Sequence, residues 1–308
     1  MSPMAASDRD ECPGSPSKAR RLLQKAYSLV DYHALPDYLR DNEYILKHYR
    51  VNWPLKQTIL SMFSIHNETL NFWTHCVGFL LFVFLTINVI LTVEIPTLVA
   101  ELLHAPTARW PIYTFLGGAM FCLFSSSVAH LLGCHSERAS YLLLRLDYAG
   151  IASLISTSFY PPVYYSFMCS PLWRNLYLAV ITLLGVLAIL VSLLPVFQTA
   201  AYRPVRAALF VAMGVSGVAP VVHKIFLHGN QPVIVLTTVY ELFMGLFYGM
   251  GALVYVTRVP ERWKPGRFDI AGHSHQLFHV LVVAGAYTHY RAGLLYLQWR
   301  HSSGCGMV

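Results

Sequence analysis

The sequence predicts an all-α membrane protein that crosses the bilayer with seven helices. Its 308 residues are 56% hydrophobic and only 12% charged, whereas an ordinary soluble domain has roughly 25% charged residues. Seven apolar stretches follow one another between residues 71 and 297. Each has roughly the 20 residues that span a hydrocarbon core about 30 Å thick. The net charge of +7 therefore needs a topological explanation and does not indicate a nucleic-acid partner.

The chain begins with polar sequence. Residues 1–20 are rich in Ser, Pro and charge, and we predict a disordered tail there. Residues 21–70 are expected to form a folded, water-exposed N-terminal segment. Within it, a helical spacing of apolar residues predicts a short interfacial helix over 55–66 that lies on the membrane; packing of this helix against the rest of the segment is the alternative. The residues that set the spacing are Ile59, Met62, Phe63 and His66.

The seven predicted spans form a membrane domain over 71–297, followed by a C-terminal tail over 298–308. Pro161 and Pro162 are expected to close the third span, because proline cannot continue a helix. Gly245 and Gly249 in the sixth span have the spacing that favours close helix packing. The spans run over 71–94, 111–133, 141–160, 174–195, 206–226, 233–257 and 275–297.

The distribution of Lys and Arg predicts a cytosolic N-terminus and an outer C-terminus. With this orientation the short loops carry eight Lys and Arg on the cytosolic side against three outside, as the positive-inside rule requires. This topology is opposite to that of G-protein-coupled receptors, and the seventh span has no lysine for a retinal Schiff base. Cys169 and Cys305 both fall on the outer side, where a disulfide can form. We expect a multi-pass protein of the plasma membrane or an endomembrane.

Two histidines at the start of the seventh span, His275 and His279, are the first candidate site residues. Residues four apart on a helix share one face, with Cβ atoms roughly 6 Å apart, so one metal ion can bridge them. A polar side chain inside the bilayer is costly and is therefore a functional candidate. The pair alone does not establish a metal site, and further ligands have to come from other spans.

The predicted topology brings three more polar residues to a similar depth. The second span ends with Ser126 and His130, which share a helix face, and the third begins with Asp147. Three imidazoles can hold a zinc ion and leave its fourth position open to water or substrate. Asp147 could then accept a proton from water or complete the coordination. Ser126 could donate a hydrogen bond to a developing oxyanion.

Each of these residues also has a purely structural interpretation. His130 could cap the end of the second span, and Asp147 could pair with Arg145 or Arg138 at the interface. Ser126 could bond back to the backbone of its own helix. The metal itself could only brace the second span against the seventh.

Other polar residues are weaker candidates for this site. His75 is better explained by packing or by support of a ligand, and His135 and His273 are expected in loops. Glu241 lies deep in the sixth span, in the opposite leaflet from the histidines. It could pair with Lys224 or with the neighbouring histidine, line a cavity, or extend to the outer surface.

Six stretches of the chain carry a family likeness. They are HNET (66–69), NFWTH (71–75), SSSVAHLLGCHSE (125–137), LDYAGI (146–151), VPERWKPGRFDI (259–270) and SHQLFH (274–279). They resemble the progestin and adipoQ receptor family, which includes the adiponectin receptors, and the N-terminal segment looks like its plant heptahelical branch. The resemblance implies seven helices, a cytosolic N-terminus and a zinc ion held by His130, His275 and His279. It also implies a nearby aspartate at Asp147 and a helix-two serine at Ser126.

Three functions are compatible with such a site. The first is a receptor-like signalling protein, in which a membrane lipid or hormone-like ligand shifts the helices and the N-terminal segment engages a cytosolic partner. The second is a zinc-dependent hydrolase of a lipid amide, for which the resemblance suggests ceramide, with Asp147 passing a proton to the leaving amine. The receptor and the hydrolase functions are compatible, because a receptor can signal by hydrolysing a lipid and releasing a signalling product. The third is a non-catalytic hormone or stress receptor in which zinc is structural.

Overall fold

The computed structural model describes residues 28–94 and 107–305. Within these ranges the chain is helical and has one isolated β-bridge, between Val30 and Tyr49. The predicted all-α architecture is confirmed. The tail predicted to be disordered, 1–20, lies outside the described residues.

Seven helical segments correspond to the seven predicted spans. Six of them are long and apolar enough to cross a membrane, as judged over the described ranges. The seventh, the last helix, has 30 residues, but its histidines and arginines make it less apolar than the others. The helices are α1 Leu55–Leu60, α2 Thr69–Glu94, α3 Trp110–Leu132, α4 Glu137–Ser158, α5 Tyr160–Ser166, α6 Pro171–Ser192, α7 Arg203–Val215, α8 Val218–His228, α9 Pro232–Thr257 and α10 Ser274–Ser303.

The third span continues past its two prolines. α4 ends at Ser158, and α5 carries Pro161 and Pro162 in its first turn, where the missing backbone N–H would have no helical partner anyway. Together α4 and α5 form one span that ends at Ser166. The expectation that the prolines close the span is therefore wrong, because they interrupt the helix without ending it.

The fifth span is interrupted between α7 and α8. Pro220 in the first turn of α8 has no N–H to donate to the carbonyl of Ser216. A Cβ on Gly217 would lie 3.1 Å from the ring of Phe159 at the end of α4. The glycine thus allows the interrupted span to approach α4 closely.

The helix α3 is central to the bundle. Of its most apolar stretch, 56% is buried inside the protein, against 17–28% for α2, α6, α7–α8 and α9. The main core lies between α2, α3 and α10, where Phe82, Phe115 and Tyr296 are fully buried. The outer helices expose large apolar side chains such as Leu183 and Leu242. Such a surface suits contact with lipid acyl chains.

Gly245 and Gly249 of α9 do not mediate helix packing within the described structure. Nothing there lies within 4 Å of a Cβ built on either glycine. By contrast, a Cβ on Gly285 of α10 would lie 2.7 Å from the ring of Tyr248. The close approach of α9 and α10 therefore depends on a different glycine, and the packing expected from Gly245 and Gly249 is wrong for this bundle.

Residues 28–66 fold over one end of the bundle and are called the N-terminal cap below. Leu35, Ile45 and Tyr49 form its own small core. The predicted helix over 55–66 is shorter than expected, because α1 ends at Leu60 and a 3-10 turn follows. Phe63 at the end of this turn is 79% exposed, as expected for a side chain that enters a membrane interface.

Polar contacts tie the N-terminal cap to the ends of the spans. The Arg50 guanidinium donates hydrogen bonds to the carbonyl oxygens of His130 and Leu131, at 2.8 and 3.0 Å. Arg203 at the start of α7 pairs with Asp41 at 2.6 Å. The cap is therefore anchored to the end of α3 and to the start of α7.

The loop between α9 and α10 also contacts the N-terminal cap. Asp269 is buried in this loop and accepts a hydrogen bond from the Leu46 N–H at 2.9 Å. Glu261 is fully buried and accepts a hydrogen bond from the Ser274 N–H at 2.7 Å. A carboxylate at this position stabilises the start of α10.

A disulfide joins two chain segments at the opposite end of the bundle. Cys169, just after α5, is bonded to Cys305, just after α10, with their Cα atoms 5.6 Å apart. The disulfide expected between these cysteines is present.

Candidate metal centre

Three histidines from two helices converge at the end of the bundle that the N-terminal cap covers. His130 lies in the last turn of α3, and His275 and His279 lie in the first two turns of α10. Their ring centroids are 4.7, 4.8 and 4.9 Å apart, so the imidazoles surround one point. One ligand nitrogen from each lies within 4.8 Å of the others, which makes the three a group that could hold a metal ion.

Hydrogen bonds fix the tautomers of two of these imidazoles. The Nδ1 atom of His130 lies 2.7 Å from a carboxylate oxygen of Glu68. The Nδ1 atom of His279 lies 3.1 Å from the backbone carbonyl oxygen of Asn71. Carboxylate and carbonyl oxygens only accept hydrogen bonds, so each Nδ1 carries the proton. The lone pair of each ring is then on Nε2, where a metal can bind it.

The distance between one pair of nitrogens fits a shared zinc ion. The Nε2 atoms of His130 and His275 are 3.2 Å apart. Two nitrogens bound at about 2.0–2.1 Å to one tetrahedral zinc lie roughly 3.3–3.4 Å apart. The same distance suits a hydrogen bond between two imidazoles, so the convergence of His279 on the same point is what favours a ligand set over a histidine pair.

Asp147 and Ser126 border the same site. Both line a small cavity of about 60 Å³ together with His275 and His279. Asp147 is buried, and none of the salt bridges found among the described residues involves it. It is also outside the convergent ligand group. The geometry therefore leaves Asp147 beside the candidate ligands, unpaired with Arg145.

The surroundings of Ser126 differ from those of its neighbours. The hydroxyl groups of Ser125 and Ser127 donate to carbonyl oxygens of their own helix at 3.1 and 2.8 Å. In the described structure Ser126 makes no such bond to its helix and lies near Asp147. Its hydroxyl is instead a hydrogen-bond partner of Asp147 at the wall of the cavity.

A larger cavity of about 840 Å³ connects the histidines with the N-terminal cap, and it is called the polar cavity below because charged side chains interrupt its otherwise apolar wall. His130, His275 and Asp147 lie on its wall, and Asp37 and Tyr38 of the cap lie on the wall as well. The small cavity is mostly apolar, with Phe210, Phe278 and Ile151 among its lining residues. The candidate site therefore lies between a polar cavity and an apolar one, which suits an amphipathic ligand.

Other histidines near the site have separate roles. His75 stacks on His279 with ring centroids 3.5 Å apart and an angle of 10° between the planes. His135 contacts the carbonyl oxygen of Trp53 at 2.8 Å. His273 immediately precedes α10 and is buried, and burial lowers its pKa. His75 thus supports a candidate ligand by packing, as expected.

The carboxylate of Glu68 is held in its ionised form. Burial alone would raise the pKa of Glu68, but the positive charge that His130 carries when its ring is protonated, and hydrogen bonds from His130 and Asn71, hold that pKa well below its usual range. Its side chain keeps 32% exposure because it faces the polar cavity. A negative charge therefore lies directly behind one candidate metal ligand.

A second polar cluster lies in the other half of the bundle. Glu241 of α9 pairs with Lys224 of α8 at 2.5 Å and accepts a hydrogen bond from the Tyr296 hydroxyl at 2.7 Å. All three side chains are buried. Of the expectations for Glu241, pairing with Lys224 is the one found.

The sequence reasoning missed the residues behind the ligands. Glu68, Asn71 and Thr74 are three apart and lie on one face where α2 begins. The Thr74 hydroxyl oxygen is 3.1 Å from Nδ1 of His279, so this face contacts two candidate ligands. The three-residue spacing of polar side chains at the start of an apolar span was the signal that could have found them.

The fold and the site together define a multi-pass helical membrane protein with a candidate three-histidine metal centre. Comparison with known proteins identifies the family. Residues 63–290 match the family described as haemolysin-III related, and the chain belongs to that family.

Several relatives are similar over most of the chain. Heptahelical transmembrane protein 4 of Arabidopsis thaliana is 52% identical, over 94% of this chain and 93% of its own length. Heptahelical transmembrane protein ADIPOR3 of Oryza sativa subsp. japonica is 49% identical, over 92% of this chain and 93% of its own. The adiponectin receptor protein of Drosophila melanogaster is 39% identical, over 88% of this chain and 60% of its own. The resemblance to adiponectin receptors and to their plant heptahelical branch is confirmed.

Proposed function

We propose that this chain is a receptor-like membrane signalling protein with an intramembrane zinc site that hydrolyses a lipid amide such as ceramide. His130, His275 and His279 hold the zinc ion. The observation that carries the proposal is the convergence of three imidazoles, two of them with the lone pair fixed on Nε2. The names of its relatives support a receptor role.

The chemistry follows from the residues around the ligands. Zinc, when bound, supplies Lewis-acid activation of an amide carbonyl and of water. Asp147 accepts a proton from the attacking water and returns it to the amide nitrogen as the C–N bond breaks. The water thereby supplies the hydroxyl group of the fatty acid and one hydrogen of the amine. Ser126 donates a hydrogen bond to the carbonyl oxygen as negative charge develops there.

The two cavities support a lipid substrate. On the apolar side of the site, near Phe210 and Phe278, the 60 Å³ cavity holds only the first few atoms of an acyl chain, so the rest of the chain has to extend beyond it. The polar head group lies in the 840 Å³ cavity under the N-terminal cap. The candidate site and the N-terminal cap both line this cavity. Binding or release of a ligand in the cavity therefore changes the contacts of the cap, which is the segment that engages a cytosolic partner.

The orientation is part of the proposal, with the N-terminal cap in the cytosol. The cap end carries Arg138, Arg262, Lys264 and Arg267 outside the apolar stretches, in accord with the positive-inside rule. The disulfide at the opposite end supports an oxidising compartment on that side. An N-terminal epitope that is accessible from outside intact cells would contradict this orientation.

A second candidate function is a non-catalytic hormone or stress receptor in which zinc is structural. The observation that favours it is the position of the ligands. His130 lies on α3, the most buried span, and the other two histidines lie on α10. An ion held among them would join these helices, whether or not a substrate reaches it.

An Asp147→Asn variant separates the two functions. We expect purified Asp147→Asn to keep its zinc and its thermal midpoint and to lose lipid-amide hydrolysis by about 10²–10⁴-fold, the range for loss of a general base. Zinc analysis, thermal unfolding in detergent and turnover of a labelled ceramide measure these three properties. The matched control is Asp31→Asn, because Asp31 is an exposed aspartate of the N-terminal cap that lines neither cavity. A wild-type protein that holds zinc without hydrolysing ceramide would favour the structural role.

A further inference from the structure

We propose that Glu68 is a positioning residue for the zinc site and that it acts together with Asn71 at the start of α2. The inference rests on the proposed function, because it assumes that His130 and His279 are ligands. Neither residue is part of the ligand group itself. Both contact the side of the imidazoles that faces away from the point of convergence.

Glu68 contacts His130 directly. The carboxylate oxygen Oε2 accepts the Nδ1 proton of His130 at 2.7 Å, a short distance typical of a charge-assisted hydrogen bond. This bond fixes the ring orientation and keeps the lone pair on Nε2. A carboxylate on the far nitrogen also makes a histidine ligand more basic and strengthens its bond to a metal.

Asn71 links the two ligand helices through the same carboxylate. Its side-chain amide donates a hydrogen bond to Oε2 of Glu68 at 2.6 Å, and its backbone carbonyl accepts the Nδ1 proton of His279 at 3.1 Å. One turn of α2 therefore orients a ligand from α3 and a ligand from α10. These contacts span 62 and 208 residues of sequence.

Through these contacts α2 positions the candidate ligands, although α2 itself supplies no ligand. Stacking on His75 restrains the ring plane of His279, but the hydrogen bonds to Glu68 and Asn71 set which nitrogen of His130 and of His279 carries the proton. With Glu68 and Asn71 in place, both Nε2 atoms are held toward the same point before a metal arrives. Such preorganisation raises affinity because the ion does not have to order its ligands.

The test compares zinc binding by purified full-length variants. We expect Glu68→Ala to weaken zinc binding by about 10–100-fold, the range for loss of a partner behind a ligand. Glu68→Gln is expected to weaken it less, because an amide oxygen still accepts the Nδ1 proton but carries no charge. Chelator competition measures the dissociation constant. The visible absorption of the Co²⁺-loaded protein reports ligand geometry and should change in Glu68→Ala.

A matched control separates positioning from loss of stability. Glu241→Gln removes a more deeply buried carboxylate in the other half of the bundle, so we expect it to lower the thermal midpoint and leave zinc affinity unchanged. The inference would be overturned if Glu241→Gln weakened zinc binding as much as Glu68→Ala does. It would also be overturned if the wild type bound zinc and Glu68→Ala bound it equally well, but that result would leave the proposed function intact. A wild-type protein that binds no zinc overturns the proposed function and the inference with it.

Discussion

The molecule contains two buried polar clusters at opposite ends of one helix bundle, and they differ in how completely their groups are paired. At one end Lys224, Glu241 and Tyr296 satisfy one another within the cluster. At the other end, hydrogen bonds occupy the outer nitrogens of His130 and His279, and the inner nitrogens face one another. A membrane makes both clusters costly. The first cluster is closed, because its groups are explained by mutual pairing, whereas the second is open, because its three imidazoles have the arrangement of a ligand group.

The two polar clusters also differ in whether a cavity reaches them. The histidines lie on the walls of both an apolar and a polar cavity. Lys224 and Glu241 line neither cavity. Burial of charge alone is therefore a poor guide to function inside a membrane. Imidazole nitrogens that converge beside a cavity are a better one.

The largest expected effect is loss of metal at the open end of the bundle, where His130, His275 and His279 lie. Replacement of His275 by Ala removes one of three ligands, and we expect the purified variant to retain less than a tenth of the zinc held by the wild type after dialysis. Metal analysis by plasma mass spectrometry provides the measurement. His135→Ala is the control, because His135 contacts the Trp53 carbonyl and no candidate ligand. Full zinc retention in His275→Ala would contradict the view that the three histidines form a metal site and Lys224 and Glu241 do not.

The next largest effect is a loss of stability at the closed end of the bundle, where Lys224 pairs with Glu241. Lys224→Met leaves Glu241 as a buried, unpaired charge, which is expected to destabilise the fold by about 3–5 kcal/mol. The double variant Lys224→Met with Glu241→Gln should be more stable than Lys224→Met alone, since no charge then remains unpaired. Denaturation in detergent of the wild type, both single variants and the double variant measures this coupling. Additive losses would show that the pair does not act as a unit.

A smaller effect is expected from pH. Burial and the nearby Arg50 lower the pKa of His66 from 6.5 to about 4. The neutral ring accepts a hydrogen bond from the Glu68 N–H and donates one to the Ser61 carbonyl. The unfolded chain binds a proton below pH 6.5 and the folded chain does not, so the contribution of His66 to stability, about 1–3 kcal/mol, is lost as pH falls from about 6.5 to 4.

Thermal unfolding across that pH range measures the contribution. The His66→Gln variant lacks the titrating ring, so its midpoint should fall less between pH 6.5 and pH 4 than that of the wild type. Parallel pH profiles of the two proteins would show that His66 does not carry the effect.

The spans were predictable because apolar composition and helix length decide which segments cross a membrane. The convergence of His130 with His275 and His279 followed from topology, since alternating spans return their ends to the same face. Local detail was less predictable. Pro161 and Pro162 interrupt a helix that tertiary packing then continues, and Gly245 faces away from the neighbour that its spacing predicted.

The residues behind the ligands could not be placed from the sequence alone. Glu68 and His130 are 62 residues apart, and their contact depends on how α2 packs against α3. The pairing of Lys224 with Glu241 likewise depends on how α8 meets α9. Sequence patterns identify which polar residues are costly in a membrane. Only the packed bundle shows which of them are satisfied.

The most direct test of the account is anomalous X-ray diffraction at the zinc absorption edge from crystals of the purified protein. The account predicts one anomalous peak between Nε2 of His130, His275 and His279, about 2.0–2.1 Å from each nitrogen, and no peak near Lys224 or Glu241. The absence of a peak among the three histidines, in crystals grown with zinc present, would contradict it.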